Sequence, residues 1–262
     1  MDEPTKQGAA LLAEIDATET ATPTLWWLGH AGFAIKYASL TFYVDPCLSF
    51  ERAPIAGSDI HNADLILCTH KHEHHLDPIA LPAILKASPR AKVVIPKSVA
   101  THANSLGIGY ERMTTTDSDL RIEYFKNGLY GRVYAVPSAH DRLDWTPIGG
   151  YPYLGYLIRF GQCTIYHPGD CVLYEGIVDR LRPYNVSVAL LPIAGRNFSV
   201  SEAAQLAEDI GARWLVPMHY GAFNSGARLT QFIEHMLGHR PAQRFKIFEC
   251  GEKWTVPGDD EI

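Results

Sequence analysis

Thr69-His70-Lys71-His72-Glu73-His74-His75-Leu76-Asp77 sets four histidines within six residues. The run before it, Ala63-Asp64-Leu65-Ile66-Leu67-Cys68, is apolar and reads as a buried strand. Asp77-Pro78 then has the form of a helix N-cap followed by proline at the first helical position. The cluster therefore lies on a strand-to-helix loop at the carboxyl end of a strand, where α/β sheets place their chemistry. Neutral imidazole is the commonest protein ligand for divalent transition metals. His70 and His72, two apart on an extended segment, can point to one side. His74 and His75 come after the chain turns and can face a second ion. A solvated polar loop would explain the same histidines taken alone, but further candidate ligands downstream argue against it.

Outward from that loop, the periodicity predicts a helix over residues 7–19 and strands over 25–28, 33–37 and 40–44, with Gly29-His30-Ala31-Gly32 as a turn. Residues 47–62 show little periodicity. Past the histidines come a helix over 79–87, a strand over 92–95 and a helix over 98–106. The middle third is β-rich, with strands 120–125 and 131–136 about the turn signal Asn127-Gly128. A second hairpin spans 153–160 and 163–166. The final third alternates: helix 174–181, strand 186–191, helix 200–210, strand 214–217, helix 229–237, and closing strands at 245–248 and 253–256. A β-rich half followed by α/β units, and then the same scheme again, predicts a four-layer α/β/β/α sandwich of two mixed sheets with helices outside. Residues 1–24 read as an N-terminal extension and 25–262 as one domain, with no compositional linker or convincing repeat.

The chain's 262 residues are 47% hydrophobic and 20% charged, an ordinary globular balance able to build a core without disulfides. The formal net charge of −6 argues against general nucleic-acid binding. Five scattered cysteines, Cys47, Cys68, Cys163, Cys171 and Cys250, form no C-x-x-C pair and suggest reduced thiols in a cytosol. No apolar run approaches the roughly 20 residues that span a bilayer. The expectation is a cytoplasmic protein with a small-molecule substrate and no membrane span, with self-association left open.

Three more candidate ligands close apparent strands: His140 after Val136-Pro137-Ser138-Ala139, Asp170 in Tyr166-His167-Pro168-Gly169-Asp170, and His219 in Val216-Pro217-Met218-His219-Tyr220. A lone strand-end histidine is more often structural. Beside a four-histidine loop the balance reverses, and a carboxylate such as Asp170 has two oxygens with which to bridge two ions.

With these residues the chain resembles the metallo-β-lactamase superfamily, whose T-H-x-H-x-D-H loop is followed by a distal histidine, a bridging aspartate and a last histidine. The matching residues are Thr69, His70, His72, His75, His140, Asp170 and His219. Trp26-Trp27-Leu28-Gly29, Val44-Asp45-Pro46, His167-Pro168-Gly169-Asp170 and Val216-Pro217-Met218-His219 are most similar to the L-ascorbate-6-phosphate lactonase-like branch. N-acyl-phosphatidylethanolamine phospholipase D enzymes share several of these segments. One position departs: His74 stands where the superfamily has the aspartate that ligates the second metal and helps orient the attacking water. An imidazole there favours zinc over manganese or magnesium.

The resemblance implies two divalent ions, zinc favoured and manganese the alternative. His70, His72 and His140 would hold one, His74, His75 and His219 the other, with Asp170 bridging. His74 and Asp170 are then the candidate catalytic residues of a hydrolase that attacks through a metal-bound hydroxide. The leading expectation is a lactonase or esterase acting on a small sugar-acid lactone that can carry phosphate. The alternatives are a phosphodiesterase for a lipid or small nucleotide diester and a non-catalytic metal-binding protein. Arg196 and Asn197, ahead of the capping-box pattern Ser199-Val200-Ser201-Glu202, are candidate substrate contacts for an anion. Tyr220, beside His219, is a third, with a hydrogen bond to a ligand as its other reading. His30 and His167 read as core or supporting residues, Asp45 as the acceptor that orients a ligating imidazole, and the segment 144–153 as a cover for the pocket.

Overall fold

A computed structural model describes residues 4–220 and 226–258. Two seven-stranded sheets face each other. The strands are β1 (Thr24–Gly29), β2 (Gly32–Tyr37), β3 (Leu40–Val44), β4 (Leu65–Leu67), β5 (Lys92–Pro96), β6 (Met113–Thr116), β7 (Arg121–Lys126), β8 (Leu129–Pro137), β9 (Leu154–Phe160), β10 (Cys163–His167), β11 (Val188–Pro192), β12 (Trp214–Met218), β13 (Arg244–Phe245) and β14 (Lys253–Thr255). The first sheet has the order β14-β1-β2-β3-β4-β5-β6, the second β13-β12-β11-β10-β9-β8-β7. In each, three antiparallel pairings give way to three parallel ones, at β3/β4 and at β10/β11. The two halves share this pairing scheme without a matching sequence repeat. The helices are α1 (Gly8–Ala17), α2 (Ala80–Ala87), α3 (Ala100–Ser105), α4 (Ile177–Leu181), α5 (Val200–Asp209) and α6 (Gly226–His239). No helix among the described residues is long and apolar enough to cross a membrane. The α/β/β/α sandwich expected from the alternation is the architecture found.

Alternation along the strands explains the layering. Leu25, Trp27, Phe33, Ile35, Phe42, Val44, Leu65 and Leu67 point between the sheets, into one core with Val133, Tyr156, Ile158, Ile165 and Leu190. Their neighbours Trp26, Leu28, Ala34, Tyr43, Ile66 and Cys68 face the other way, onto Leu11, Ile15, Leu81 and Ile84 of α1 and α2. The segment before Thr24 is thus packed on the first sheet, and Glu14 accepts a 2.9 Å hydrogen bond from Trp26 Nε1. The hairpin turn at Asn127-Gly128 has φ of 54° and 79°, the paired left-handed residues that a two-residue turn requires.

Four elements differ from expectation. β6 lies in the polar run Met113-Thr114-Thr115-Thr116, which lacks apolar alternation and is stabilised by parallel pairing with β5. α4 begins after Gly176, whose φ of +85° breaks the helix expected from residue 174. α3 starts with a 3₁₀ turn, Lys97–Val99. The strand expected at 245–248 shortens to Arg244–Phe245 beside β12.

Asp77 anchors the loop that carries the histidines. Its Oδ1 accepts from the backbone of Ile79 and Ala80 and from Ser49 Oγ; its Oδ2 accepts from the backbone of Leu48 and Ser49. It therefore does the capping expected of it and also clamps the segment after β3. Burial opposes its charge, but these five donors outweigh burial and hold the carboxyl below its ordinary 3.8. A depressed carboxyl stabilises the fold above the unfolded value and loses that contribution as pH falls through the folded one. Asp77→Ala should lower the unfolding free energy by about 2–4 kcal/mol at neutral pH. Urea titrations should show the gap from wild type closing below pH 3.8.

Candidate metal centre

The carboxyl ends of strands from both sheets converge at one edge of the sandwich. His30 follows β1, Asp45 follows β3, and the loop Thr69 to His75 follows β4. His140 follows β8, Asp170 follows β10, and His219 follows β12. His30, Asp45 and His219 adopt φ of 52°, 42° and 66°, a left-handed backbone that costs a non-glycine residue about 1–3 kcal/mol. Such strain concentrated on three neighbouring polar residues marks a site held in place by its surroundings.

Two clusters emerge. One oxygen or ring nitrogen from each of His70, His72, His140 and Asp170 lies within 4.8 Å of the others, and the same holds for His30, His75 and His219. Asp170 stands between them. Its Oδ2 is 3.5 Å from His140 Nε2; its Oδ1 is 2.9 Å from His219 Nε2 and 3.4 Å from His75 Nε2. One oxygen therefore faces each cluster. Burial opposes the Asp170 charge, but His75, His140 and His219 outweigh it and hold the carboxyl far below the carboxylate range.

The hydrogen bonds around the rings assign their tautomers. Thr69 Oγ is 2.7 Å from Asp45 Oδ2 and donates to it, so the same oxygen accepts from His70 Nδ1 at 3.0 Å. That leaves the His70 Nε2 lone pair directed at the site, 3.0 Å from His72 Nδ1. Two imidazole nitrogens at this separation repel unless a proton or a cation lies between them. His75 Nδ1 donates to Asp45 Oδ2 at 2.7 Å, and its Nε2 is buried and makes no hydrogen bond among the described residues. Burial disfavours charge on His75, yet Asp45 and Asp170 on either side carry it up to about 10. A cation at Nε2 would replace that proton. Burial pushes His70 well below its ordinary value, and burial with His140 nearby lowers His72. His140 is raised by its bond to Asp170. Burial, then His219 and His75, keeps His30 neutral.

Asp45 also accepts the Thr69 backbone N–H at 2.8 Å, so one carboxylate fixes both the loop and the His75 ring. Gly169, at φ +68°, is required: a Cβ there would stand 2.4 Å from Thr69 Oγ. His167 donates from Nε2 to Ala31 O at 2.8 Å and accepts the Gly169 N–H at Nδ1. Both its nitrogens are thereby used, one tying the second sheet to the first and the other holding its own loop, the structural role that the sequence favoured.

The remaining candidates fall at different depths. His74 is exposed, with its ring centroid 5.1 Å from that of His30, and belongs to neither cluster. Asn197 donates to Asp170 Oδ1 at 3.2 Å and accepts from Cys171 N at 2.7 Å, which positions the bridging carboxylate. Arg196 is 84% exposed, with Nη1 3.9 Å from Asp141 Oδ1 beside His140. Ser199 and Glu202 close the capping box of α5, so part of that helix's N-terminal donor capacity is already engaged. Tyr220 is buried; its hydroxyl donates to Phe248 O at 2.8 Å and its ring lies 4.8 Å from Trp27. Two residues gain weight beyond their reading from sequence. His30 joins His75 and His219, a neighbourhood set by the far end of the chain. Tyr153 places its ring 5.2–6.1 Å from His70, His72 and His140. The single sequence cue to His30 was its place in a turn at a strand end; that to Tyr153 was its place at the end of the segment 144–153 read as a cover for the pocket.

This donor set, imidazoles with inward lone pairs around one carboxylate, fits divalent transition ions: nitrogen and oxygen donors, each ring oriented by an acceptor behind it. The same architecture recurs in known proteins. Residues 24–219 match the family model described as the beta-lactamase superfamily domain, and the chain belongs to that superfamily. More narrowly, its relatives include proteins named UPF0173 metal-dependent hydrolase. That of Pyrococcus furiosus is 30% identical over 222 residues, covering 82% of this chain and 92% of its own. That of Caldivirga maquilingensis is 29% identical over 206 residues, covering 76% and 82%. Among solved structures, Igni18, a metallo hydrolase from Ignicoccus hospitalis, superposes with a TM-score of 0.71 at 20% identity over 91% of this chain and all of its own. At that identity the likeness shows the fold.

Proposed function

We propose that this chain is a metal-dependent hydrolase working through two divalent ions at the convergent strand ends, and that its substrate is a lactone or related ester bearing an anionic group, such as a phosphorylated sugar-acid lactone. The observation that carries the metal reading is Asp170, with one oxygen toward each histidine cluster. The names of the UPF0173 relatives agree with it. In this reading His70, His72 and His140 would hold the first ion, His75 and His219 would contribute to the second, and Asp170 would serve both. Predominantly imidazole donors favour zinc, with manganese second. When bound, such ions supply Lewis acidity toward water and toward the carbonyl or phosphoryl oxygen under attack.

The chain's own residues do the rest. Asp170 and Asn197 fix the separation of the two positions, and Asp45 keeps the proton of His75 on Nδ1, away from the site. His74, exposed at the rim, passes protons between the site and solvent. Arg196 at the mouth receives the anionic group of the substrate, as its exposure and loose pairing with Asp141 allow. Arg196→Ala should lower kcat/KM about 10-fold on phosphorylated lactones and leave neutral lactones unchanged, read as proton release on paired substrates.

The decisive experiment uses chelator-stripped protein reconstituted separately with zinc and with manganese, offered a panel of plain and phosphorylated lactones and a chromogenic phosphodiester. Metal-dependent lactone opening with a preference for phosphorylated rings is the expected result. Phosphodiester cleavage without lactone opening would replace the substrate assignment. Bound metal with no turnover on any substrate would overturn the lactone reading.

A further inference from the structure

We infer that His30 completes the second ion's position in this chain, making it an all-imidazole set of His30, His75 and His219 closed by Asp170 Oδ1, with His74 outside it. The inference rests on the binuclear reading above and concerns which side chain replaces the superfamily's missing aspartate.

Geometry carries it. One ring nitrogen of each of His30, His75 and His219 lies within 4.8 Å of the other two, and all three residues are buried. Zinc–imidazole bonds are roughly 2.0–2.1 Å, so donors on one tetrahedral ion stand roughly 3.4 Å apart. The ring centroids are 3.8 Å apart for His30 and His219, 5.4 Å for His30 and His75, and 5.9 Å for His75 and His219.

The backbone brings His30 there deliberately. His219 N–H donates to His30 O at 3.0 Å, and Trp27 Nε1 donates to the same oxygen at 3.0 Å. Both histidines are held left-handed, so the two strained residues fix each other across the sheets. Nothing in the packing of apolar side chains requires histidine at either place. A purely structural side chain here would be cheaper as phenylalanine or leucine, because a buried imidazole costs desolvation.

His74 fits the role less well. It is exposed, and no nitrogen of its ring belongs to the cluster. The chemical consequence is one of charge. Six imidazoles and a single carboxylate would surround two divalent ions, one negative charge fewer than the superfamily pattern supplies. The second position should therefore discriminate against manganese, a preference that three neutral nitrogen donors impose.

The test counts metal on the full chain. Wild type, His30→Asn and His74→Ala are reconstituted with zinc or cobalt, desalted, and analysed for metal per chain by mass spectrometry. The visible spectrum of the cobalt forms is recorded alongside. Asparagine is chosen because it tolerates the left-handed φ at residue 30. The expected result is two ions in wild type and in His74→Ala, and one in His30→Asn with loss of one component of the cobalt spectrum. The double variant His30→Asn/His74→Asp, which returns the carboxylate of the superfamily loop, should regain two ions and accept manganese. Two ions and an unchanged spectrum in His30→Asn, or a fall to one ion in His74→Ala, would overturn the assignment. If His30→Asn does not fold, His74→Ala decides alone, since its side chain is exposed. Wild type that binds fewer than two ions would overturn the binuclear reading itself, and this inference with it.

Discussion

Asp170→Asn is expected to cut kcat/KM on any productive substrate by on the order of 10³-fold or more, and to reduce the metal content. The substitution keeps the shape of the side chain and its place beside Asn197, so the fold should survive. What it removes is a buried negative charge. His75, His140 and His219 all lie within 3.5 Å of that carboxylate and lose their common counter-charge together. An amide has one acceptor oxygen and one donor nitrogen, and so cannot offer a lone pair to both clusters. The nitrogen would point a proton at whichever histidine or ion it faced. Metal per chain and turnover, measured on the same preparation, check the prediction. A variant with full metal content and full activity would remove Asp170 from the centre of the reading.

Asp45→Asn should act more selectively. Asparagine can hold the left-handed backbone at this position, so the turn after β3 is preserved. The lost feature is the carboxylate oxygen that takes protons from both His75 Nδ1 and Thr69 Oγ. Without it the His75 ring is free to adopt the other tautomer and turn its proton toward the site. Loss of such an orienting carboxylate typically weakens metal affinity 10- to 100-fold, so a drop of about that size is expected at the second position. The first position should change less, because Asp45 reaches His70 only through Thr69, one hydrogen bond further away. Chelator competition on wild type and variant resolves the two steps. Stability should also fall, by about 1–3 kcal/mol, since Thr69 N–H and the hydroxyl are buried. Equal weakening of both steps would indicate that Asp45 supports the loop as a whole and not one ring.

The parts of the molecule visible in the sequence are those written locally. Each half of the sandwich shows its strands through apolar runs such as Leu65-Ile66-Leu67, and the histidine loop announces itself by density. Asp77 and Ser199 mark their helix starts by side-chain chemistry alone. Where local pattern and tertiary pairing part, the sequence reading fails: the threonines of β6 carry no strand signature and depend on β5, while Gly176 stops a helix that its neighbours would have continued. The site divides in the same way. Strand-end residues His140, Asp170 and His219 can be picked out because each follows an apolar run. The position of His30 against His219 depends on two elements almost two hundred residues apart, which no spacing rule connects. Tyr220 shows the converse: although it adjoins His219 in the chain, its hydroxyl is used by Phe248 O and its ring packs beside Trp27, contacts that no local pattern predicts.

The seam between the halves has a thermodynamic corollary. At the ligand end, His167 bonds to Ala31, Tyr156 to Cys68, the Leu154 N–H to Thr69, and the His219 N–H to His30, each reaching from the second sheet to the first. The side chains proposed to hold metal divide the same way, with His30, His70, His72 and His75 from one half and His140, Asp170 and His219 from the other. Ion binding as proposed would therefore be linked to the closure of the two halves in one equilibrium. A ligand at a hundred times its Kd adds about 2.7 kcal/mol to the stability of the state that binds it. The melting temperature of this protein should accordingly track the free concentration of its metal, which would let a thermal scan rank candidate ions before any substrate is known.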